Sequence, residues 1–116
     1  QSRCEKCDAS VGRCEADHWT SRGTGSHKRL DIPINIVGLC RQCHQERHDG
    51  NLSKAMLLER IATRERTTTE DIKAVLDMLK RLIKPSKVEI LTAICDLRES
   101  AQMLAIRNLQ EANVDI

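Results

Sequence analysis

Two Cys-x-x-Cys pairs constrain the fold of this chain more than any other feature, and they stand at Cys4 with Cys7 and at Cys40 with Cys43. A pair with this spacing turns tightly, so both thiolates face one metal ion. Four thiolates fit the closed tetrahedral site of a structural zinc ion. The segment between the pairs is longer than in a simple zinc ribbon, which indicates a hairpin inserted between two knuckles. The sequence therefore predicts a structural zinc site made of these four cysteines.

Two other uses of these cysteines stay open at this point. One or both pairs can be core thiols without a metal. Alternatively, Cys4 and Cys7 join His44 and His48 in a Cys₂His₂ site. That arrangement needs an intervening segment far longer than the roughly 12 residues of such a finger, and it leaves the second cysteine pair idle.

The composition limits the kind of core that the chain can build. Its 116 residues include one Trp, no Phe and no Tyr, so the core must be aliphatic. A structural metal is a common supplement to a small core of this kind. Cys14 and Cys95 have no Cys-x-x-Cys partner, and we expect both to be buried as small hydrophobic side chains. Metal-type cysteine pairs, with no visible signal peptide or membrane span, favour a reducing, cytoplasmic location.

Charge is distributed unevenly along the chain. Residues 1–66 carry 12 Lys and Arg against 9 Asp and Glu, a net charge of +3, whereas residues 67–116 carry 7 against 8, a net charge of −1. The positive excess accompanies the Cys and His residues, as a phosphate-binding site requires. We expect a metal-binding domain over residues 1–66 and a helical extension over residues 67–116.

The first part of the chain is predicted to form two strands followed by helices. Residues 11–18 and 34–39 are the predicted strands, the second on the basis of its β-branched residues. Residues 40–49 form a predicted short helix with Gly50 immediately after its C-terminus. Apolar residues at helical spacing predict a further helix over residues 52–64.

The second part shows only helical patterns. Its apolar residues recur three and four positions apart, Pro85 interrupts them, and Ser86 with Glu89 fits a capping box that begins the next helix. The sequence predicts a helical hairpin over residues 67–112, with a role in core packing or self-association. The predicted fold class is α+β.

A second group of metal-binding side chains is predicted beside the cysteines. Cys43 and His44 are neighbours at a helix start, so their side chains diverge by roughly 100°. His48 lies four residues after His44 and shares its face. Asp17 can add a carboxylate oxygen if the two strands pair beside the helix. Carboxylate and imidazole ligands with open positions suit a catalytic Mg²⁺ or Mn²⁺ ion.

His18 and Asn35 complete this predicted site. An imidazole can accept a proton from water near neutral pH, which makes His18 a candidate general base. Asn35 can hold that ring by an amide hydrogen bond. The alternatives are that His44 and His48 are solvated helix residues, that Asp17 and His18 form an ordinary strand end, and that Asn35 is only a turn residue.

These residues together resemble a known family. The segment N-I-V-G-L-C-R-Q-C-H-Q-E-R-H at residues 35–48, with E-A-D-H-W upstream at residues 15–19, resembles the HNH endonuclease family. The resemblance covers about residues 4–50 and implies a ββα-metal core, in the family variant with a four-Cys structural zinc. The helical extension has no counterpart in this resemblance.

The resemblance also implies a role for each site residue. Asp17 and His44 are implied to bind the catalytic metal, His18 to activate the attacking water, and Asn35 to orient that base. His48 is implied to be either a ligand or a phosphate-positioning group. The implied activity is metal-dependent hydrolysis of DNA phosphodiester bonds to 5′-phosphate and 3′-hydroxyl ends. Phosphate contacts are expected from basic residues near the motif. These are Arg22, Lys28, Arg29, Arg41 and Arg47.

Two other hypotheses stay open. In the first, the chain is a non-catalytic zinc module that binds nucleic acid or a protein, which requires the four cysteines but not Asp17, His18, Asn35 or His44. In the second, the helical extension is the functional part, a homodimerisation or partner-docking element that places the nuclease. The endonuclease itself is expected to belong to a larger phage, restriction or mobile-element system.

Overall fold

Five α-helices and two antiparallel two-stranded sheets make up the α+β fold that the described residues form. The structure is a computed structural model, and it describes residues 2–21 and 28–116. The elements, in chain order, are β1 (Ser2–Arg3), β2 (Ser10–Val11), β3 (Glu15–His18), β4 (Ile36–Leu39), α1 (Arg41–His48), α2 (Lys54–Glu65), α3 (Thr69–Arg81), α4 (Lys87–Cys95) and α5 (Glu99–Glu111).

The hairpin of β3 and β4 places the predicted metal ligands. Asp17 is paired with Val37, and His18 with Ile36. Because cross-strand partners point to the same face of a sheet, Asp17 lies on the face of buried Val37, against which α1 packs. Both strands are shorter than predicted, since Ser10–Val11 pairs with β1 instead and Pro33–Asn35 forms a 3₁₀ turn.

Helix α1 begins at the second cysteine pair, as the sequence predicted. Cys40 is the N-cap residue in an extended conformation, and its Sγ accepts a hydrogen bond from the backbone N–H of Cys43. The helix ends at His48. Gly50 follows with a φ of +78°, a left-handed conformation that suits glycine. The side chains of α1 therefore have fixed directions relative to the second cysteine pair.

The prediction of a single hairpin over residues 67–112 is wrong, because the region contains three helices. α3 corresponds to the first helix of the predicted hairpin. The second predicted helix is divided into α4 and α5 by a turn at residues 96–98. Half-buried Leu97 packs against the core at this turn, and the Gln102 side-chain amide donates to the carbonyls of Leu97 (2.8 Å) and Cys95 (3.1 Å). The capping box of Ser86 and Glu89 at the start of α4 is confirmed.

A single aliphatic core crosses the predicted boundary between residues 66 and 67. Its buried residues run from Cys4 to Leu109, and α3 and α5 both pack against the segment between the two strands of the hairpin. Buried Asn108 on α5 accepts a hydrogen bond from the backbone N–H of Ile34 at 3.0 Å. The division into domains of residues 1–66 and 67–116 remains a prediction, and the two parts share this core.

The two cysteines without a Cys-x-x-Cys partner are less buried than the sequence predicted. Cys14 is half-buried and Cys95 is exposed, so the expectation that both are buried is wrong. Cys95 lies in the last turn of α4, on the side away from the buried Ile90 and Ile94. Within the described ranges, no helix is long and apolar enough to cross a membrane.

Candidate metal centres and active-site cleft

The four cysteines of the two pairs come together, as the sequence predicted. The Sγ atoms of Cys4, Cys7, Cys40 and Cys43 all lie within 4.8 Å of one another. Sulfur atoms about 2.3 Å from a tetrahedral zinc ion are about 3.8 Å apart. The Sγ atoms of Cys7 and Cys40 are separated by 3.8 Å. The donor set and its spacing therefore fit a structural metal ion such as zinc.

Backbone geometry shapes the first knuckle. The turn closes through hydrogen bonds from Cys4 N to Ala9 O (3.0 Å) and from Asp8 N to Cys4 O (2.9 Å). Asp8 adopts a left-handed φ of 63°, which lets the chain reverse within this short span. Glu5 then joins the knuckle to β4, since its N–H donates to Gly38 O at 2.9 Å and its Oε2 accepts from Gly38 N at 2.6 Å.

The thiols of this cluster differ in their acidity. Burial raises the pKa of Cys4, but backbone hydrogen bonds from Cys7, Cys40 and Lys6 outweigh it and lower the pKa to about 6. Burial raises the pKa of Cys43, and hydrogen bonds with the neighbouring thiols raise it further. The lowered pKa of Cys4 favours its thiolate, the form that binds a metal ion, at neutral pH.

Asp17, His44 and His48 form a second group, also within 4.8 Å of one another. The two histidines therefore lie with the carboxylate and not with the cysteines, which argues against the Cys₂His₂ alternative. The geometry of α1 explains this separation. Cys43 is buried and faces the other cysteines, and the side chain of His44 points about 100° away from it around the helix axis.

Glu15 orients His44 within this group. Its Oε1 lies 2.5 Å from His44 Nδ1, which places the ring proton on Nδ1 because an ionised carboxylate can only accept. His44 Nε2 then carries a lone pair, and it lies 3.1 Å from His48 Nε2 and 3.7 Å from Asp17 Oδ1. Two imidazole nitrogens and a carboxylate oxygen that converge in this way fit a divalent cation.

Arg47 occupies the other side of Asp17. Its Nε donates to Asp17 Oδ2 at 3.1 Å, and a second guanidinium nitrogen donates to the carbonyl of Trp19 at 3.1 Å. One oxygen of Asp17 therefore faces the histidines and the other faces a fixed positive charge. Arg47 is one of the residues that the sequence assigned to phosphate contact, and it lies directly at the cluster.

His18 is held by a carboxylate that the sequence gave no reason to select. Its Nε2 lies 2.6 Å from Asp31 Oδ1, and both side chains are partly buried. When Nε2–H donates to this carboxylate, Nδ1 is the nitrogen with a free lone pair. In a general base of this kind, a carboxylate accepts a hydrogen bond from one imidazole nitrogen and so orients the ring, and Asp31 makes that contact with His18.

Asn35 does not make the direct hydrogen bond to His18 that the sequence suggested. Both of its amide protons are used, one by the carbonyl of Thr20 (3.0 Å) and one by that of Leu30 (2.9 Å). Its Oδ1 accepts from Thr20 N at 2.9 Å. The side chain is fully buried, so Asn35 braces the backbone that follows His18 and can orient the ring only indirectly.

An open cleft of about 600 Å³ lies beside these groups. Asp17, His18, Arg47 and His48 line it together with Trp19 and Lys54. Two of the three metal-ligand candidates, the base candidate and two cations therefore share one solvent-accessible space.

The other basic residues that were predicted to contact phosphate have varied positions. Arg29 donates to the carbonyls of Leu79 (3.0 Å) and Leu82 (2.6 Å), so it caps the C-terminus of α3. Lys28 donates to the carbonyl of Asn113 at 3.2 Å, and Arg41 is exposed at the start of α1. Arg22 lies outside the described residues.

Two functional candidates were missed at the sequence level. Glu15 had a usable signal, because it stands two residues before Asp17 and so shares its face of the strand. Asp31 had none, since its approach to His18 depends on the path of the intervening chain. In comparisons with known proteins, the chain matches no family model, no curated protein and no solved structure.

Proposed function

We propose that this chain is a metal-dependent endonuclease that hydrolyses phosphodiester bonds of DNA. The observation that carries the proposal is the convergence of Asp17, His44 and His48 beside His18, at the edge of an open cleft and apart from the four-Cys cluster. A purely structural zinc module has no need for this second group. The arrangement also agrees with the ββα-metal core that the resemblance to the HNH endonucleases implies.

His18 is the proposed general base. Asp31 accepts a hydrogen bond from Nε2–H, and Nδ1 takes a proton from a water molecule that attacks the phosphorus atom. The new P–O bond forms as the bond to the 3′ oxygen breaks, and that oxygen leaves with a proton from solvent. The products are a 5′-phosphate and a 3′-hydroxyl end.

Asp17 and His44, with His48 as a third ligand, are the proposed holders of a divalent cation such as Mg²⁺ or Mn²⁺. The ion would supply Lewis-acid stabilisation of the charge on the phosphoryl group and on the leaving oxygen. Glu15 supports this role through the fixed tautomer of His44. Arg47 would move part of its hydrogen bonding from Asp17 to a phosphate oxygen when substrate binds.

The test is nicking of supercoiled plasmid in the presence of Mg²⁺ or Mn²⁺, with wild type beside His18→Ala at equal zinc content. Loss of the base should lower the rate by roughly 10²- to 10⁴-fold. Gln45→Ala, on the exposed face of α1, is the matched control and should cleave like wild type. Equal cleavage by wild type and His18→Ala would reject His18 as the base.

One observation favours the alternative of a non-catalytic zinc module that binds nucleic acid or a protein. Asp17 is already paired with Arg47, so the second cluster has a charge partner without any cation. In that case wild type would retain zinc, would show no metal-dependent cleavage, and would keep its binding when Asp17 and His44 are replaced.

A further inference from the structure

Two lysines that belong to different helices lie at the cleft or beside it. Lys54 is the first residue of α2 and lines the cleft, and Lys80 lies in the last turn of α3. Neither was among the residues expected to contact phosphate. Lys80 belongs to the extension, so the helical part of the chain contributes a charge beside the candidate active site.

Trp19 fixes the position of Lys54. The indole Nε1 donates to the carbonyl of Lys54 at 2.8 Å, and the ammonium group of Lys54 lies 4.4 Å from the centroid of the same ring. This cation–π contact holds the ammonium next to the residue that follows His18. Burial lowers the pKa of Lys54, and the positive charges of Arg47 and Lys80 lower it further. Arg47 and Lys80 are therefore both close enough to repel the ammonium group of Lys54.

Thr20 fixes the position of Lys80. The ammonium group donates to Thr20 Oγ1 at 2.9 Å, and Thr20 is buried and bound through its backbone to Asn35. The ammonium group of Lys80 therefore binds a residue only two positions after His18, in a backbone segment that Asn35 holds in place. Within residues 2–21 and 28–116, neither Lys54 nor Lys80 forms an ion pair with a carboxylate.

We propose that Lys54 and Lys80 bind a backbone phosphate of the polynucleotide next to the one that is cleaved. A phosphodiester anion would offset the repulsion of Lys54 by Arg47 and Lys80 and would accept hydrogen bonds from both lysines. The substrate site then extends from α1 across the cleft to α3, so the helical extension is part of it. This inference rests on the proposed function.

The experiment measures the salt dependence of DNA binding. Lys54→Gln, Lys80→Gln and the double variant are made in the His18→Ala background, and their affinity for a DNA duplex is followed by fluorescence anisotropy between about 50 and 200 mM salt. Each substitution should reduce the slope of log affinity against log salt by about 1. Affinity should fall by about tenfold for each lost contact.

Matched variants separate this site from general surface charge. Lys73→Gln removes the same charge from an exposed position on α3, about two turns from Lys80, and should keep the parent slope. Lys80→Arg keeps the charge and should retain binding. Parent slopes in both Lys54→Gln and Lys80→Gln, with wild type still cleaving plasmid, would overturn the inference and leave the proposed function intact.

Two further outcomes are decisive. If wild type neither binds nor cleaves DNA, the proposed function fails and the inference fails with it. If inorganic phosphate binds in a manner that depends on Lys54 and Lys80, while the DNA slope is unaffected by their loss, the cluster is a site for a free anion and the inference is overturned.

Discussion

His44 Nδ1 lies 2.5 Å from Glu15 Oε1, and this contact turns His44 Nε2 towards Asp17 and His48. A strand residue thus sets the tautomer of a helix residue. The contact matters because only the nitrogen without a proton can bind a metal ion, and the carboxylate decides which nitrogen that is.

Glu15→Gln should weaken binding of the divalent cation at this site. The amide has no negative charge and can present a proton to the imidazole, so the ring is no longer held in one tautomer. We expect Mn²⁺ affinity to fall by roughly 10- to 100-fold, as measured by isothermal titration calorimetry on zinc-loaded protein. Glu59→Gln, an exposed carboxylate on α2, is the control and should bind Mn²⁺ like wild type.

Asp31→Ala should slow cleavage without abolishing it. His18 would lose the acceptor at 2.6 Å that fixes its ring, but it would remain able to take a proton. The expected fall in kcat is roughly 10- to 100-fold, smaller than that for His18→Ala, with little change in KM. A kcat equal to that of wild type would show that the Asp31 contact does not orient the base.

Loss of the metal ion from the four-Cys cluster should destabilise the whole chain. The ion would join the first knuckle to the start of α1, and the core continues from these cysteines into α5. Cys43→Ser should lower the zinc content and reduce Tm by more than about 10 °C. Cys14→Ser is the matched control, because this half-buried thiol lies outside the four-Cys cluster. Full zinc content in Cys43→Ser would contradict the four-Cys assignment.

Asp71 should make stability depend on pH in the acid range. Burial raises the pKa of this carboxyl, but hydrogen bonds from Ser100 and Arg98 and the charge of Arg98 outweigh it, so the net pKa is lowered. A carboxyl with a lowered folded-state pKa stabilises the fold above its unfolded pKa of about 4, and this contribution is lost as pH falls through the folded value.

The corresponding variant is Asp71→Asn. It should reduce the free energy of unfolding by about 1–3 kcal/mol at neutral pH, since Arg98 donates to Asp71 Oδ1 and most of the contact would be lost. The difference from wild type should shrink below pH about 4. Denaturation in urea across this pH range gives both quantities. Asp77→Asn, exposed on the same helix, should show no such trend.

Local periodicity explains why both candidate ligand sets could be read from the sequence. Cys43 and His44 point to different sites because one helical residue turns the direction by about 100°, and His48 returns to the direction of His44 after four residues. The same reasoning, applied to the two-residue period of a strand, would have found Glu15 from Asp17.

The helix ends in the second half of the chain differ in whether a local sequence pattern marks them. Ser86 and Glu89 mark the start of α4 because a capping box is a short-range hydrogen-bond pattern. The turn that divides α4 from α5 contains neither Gly nor Pro, and it is held by Leu97 against the core and by the Gln102 amide. Such a turn depends on tertiary packing and leaves no local signal. The apolar periodicity of residues 88–109 therefore predicted one continuous helix.

The sequence by itself determined which cysteines share a knuckle and that His44 and His48 share one face of a short helix, because these follow from local side-chain directions. It also indicated that Asp17 and the two cysteine pairs could meet if the predicted strands pair beside that helix, and the structure brings each of these sets together. Only the tertiary structure decided that Asp31 holds His18, that Arg29 caps α3 and that Lys80 reaches Thr20 across 60 residues of chain. These contacts join segments whose relative positions are set by burial of a common aliphatic core, and no local pattern encodes that arrangement.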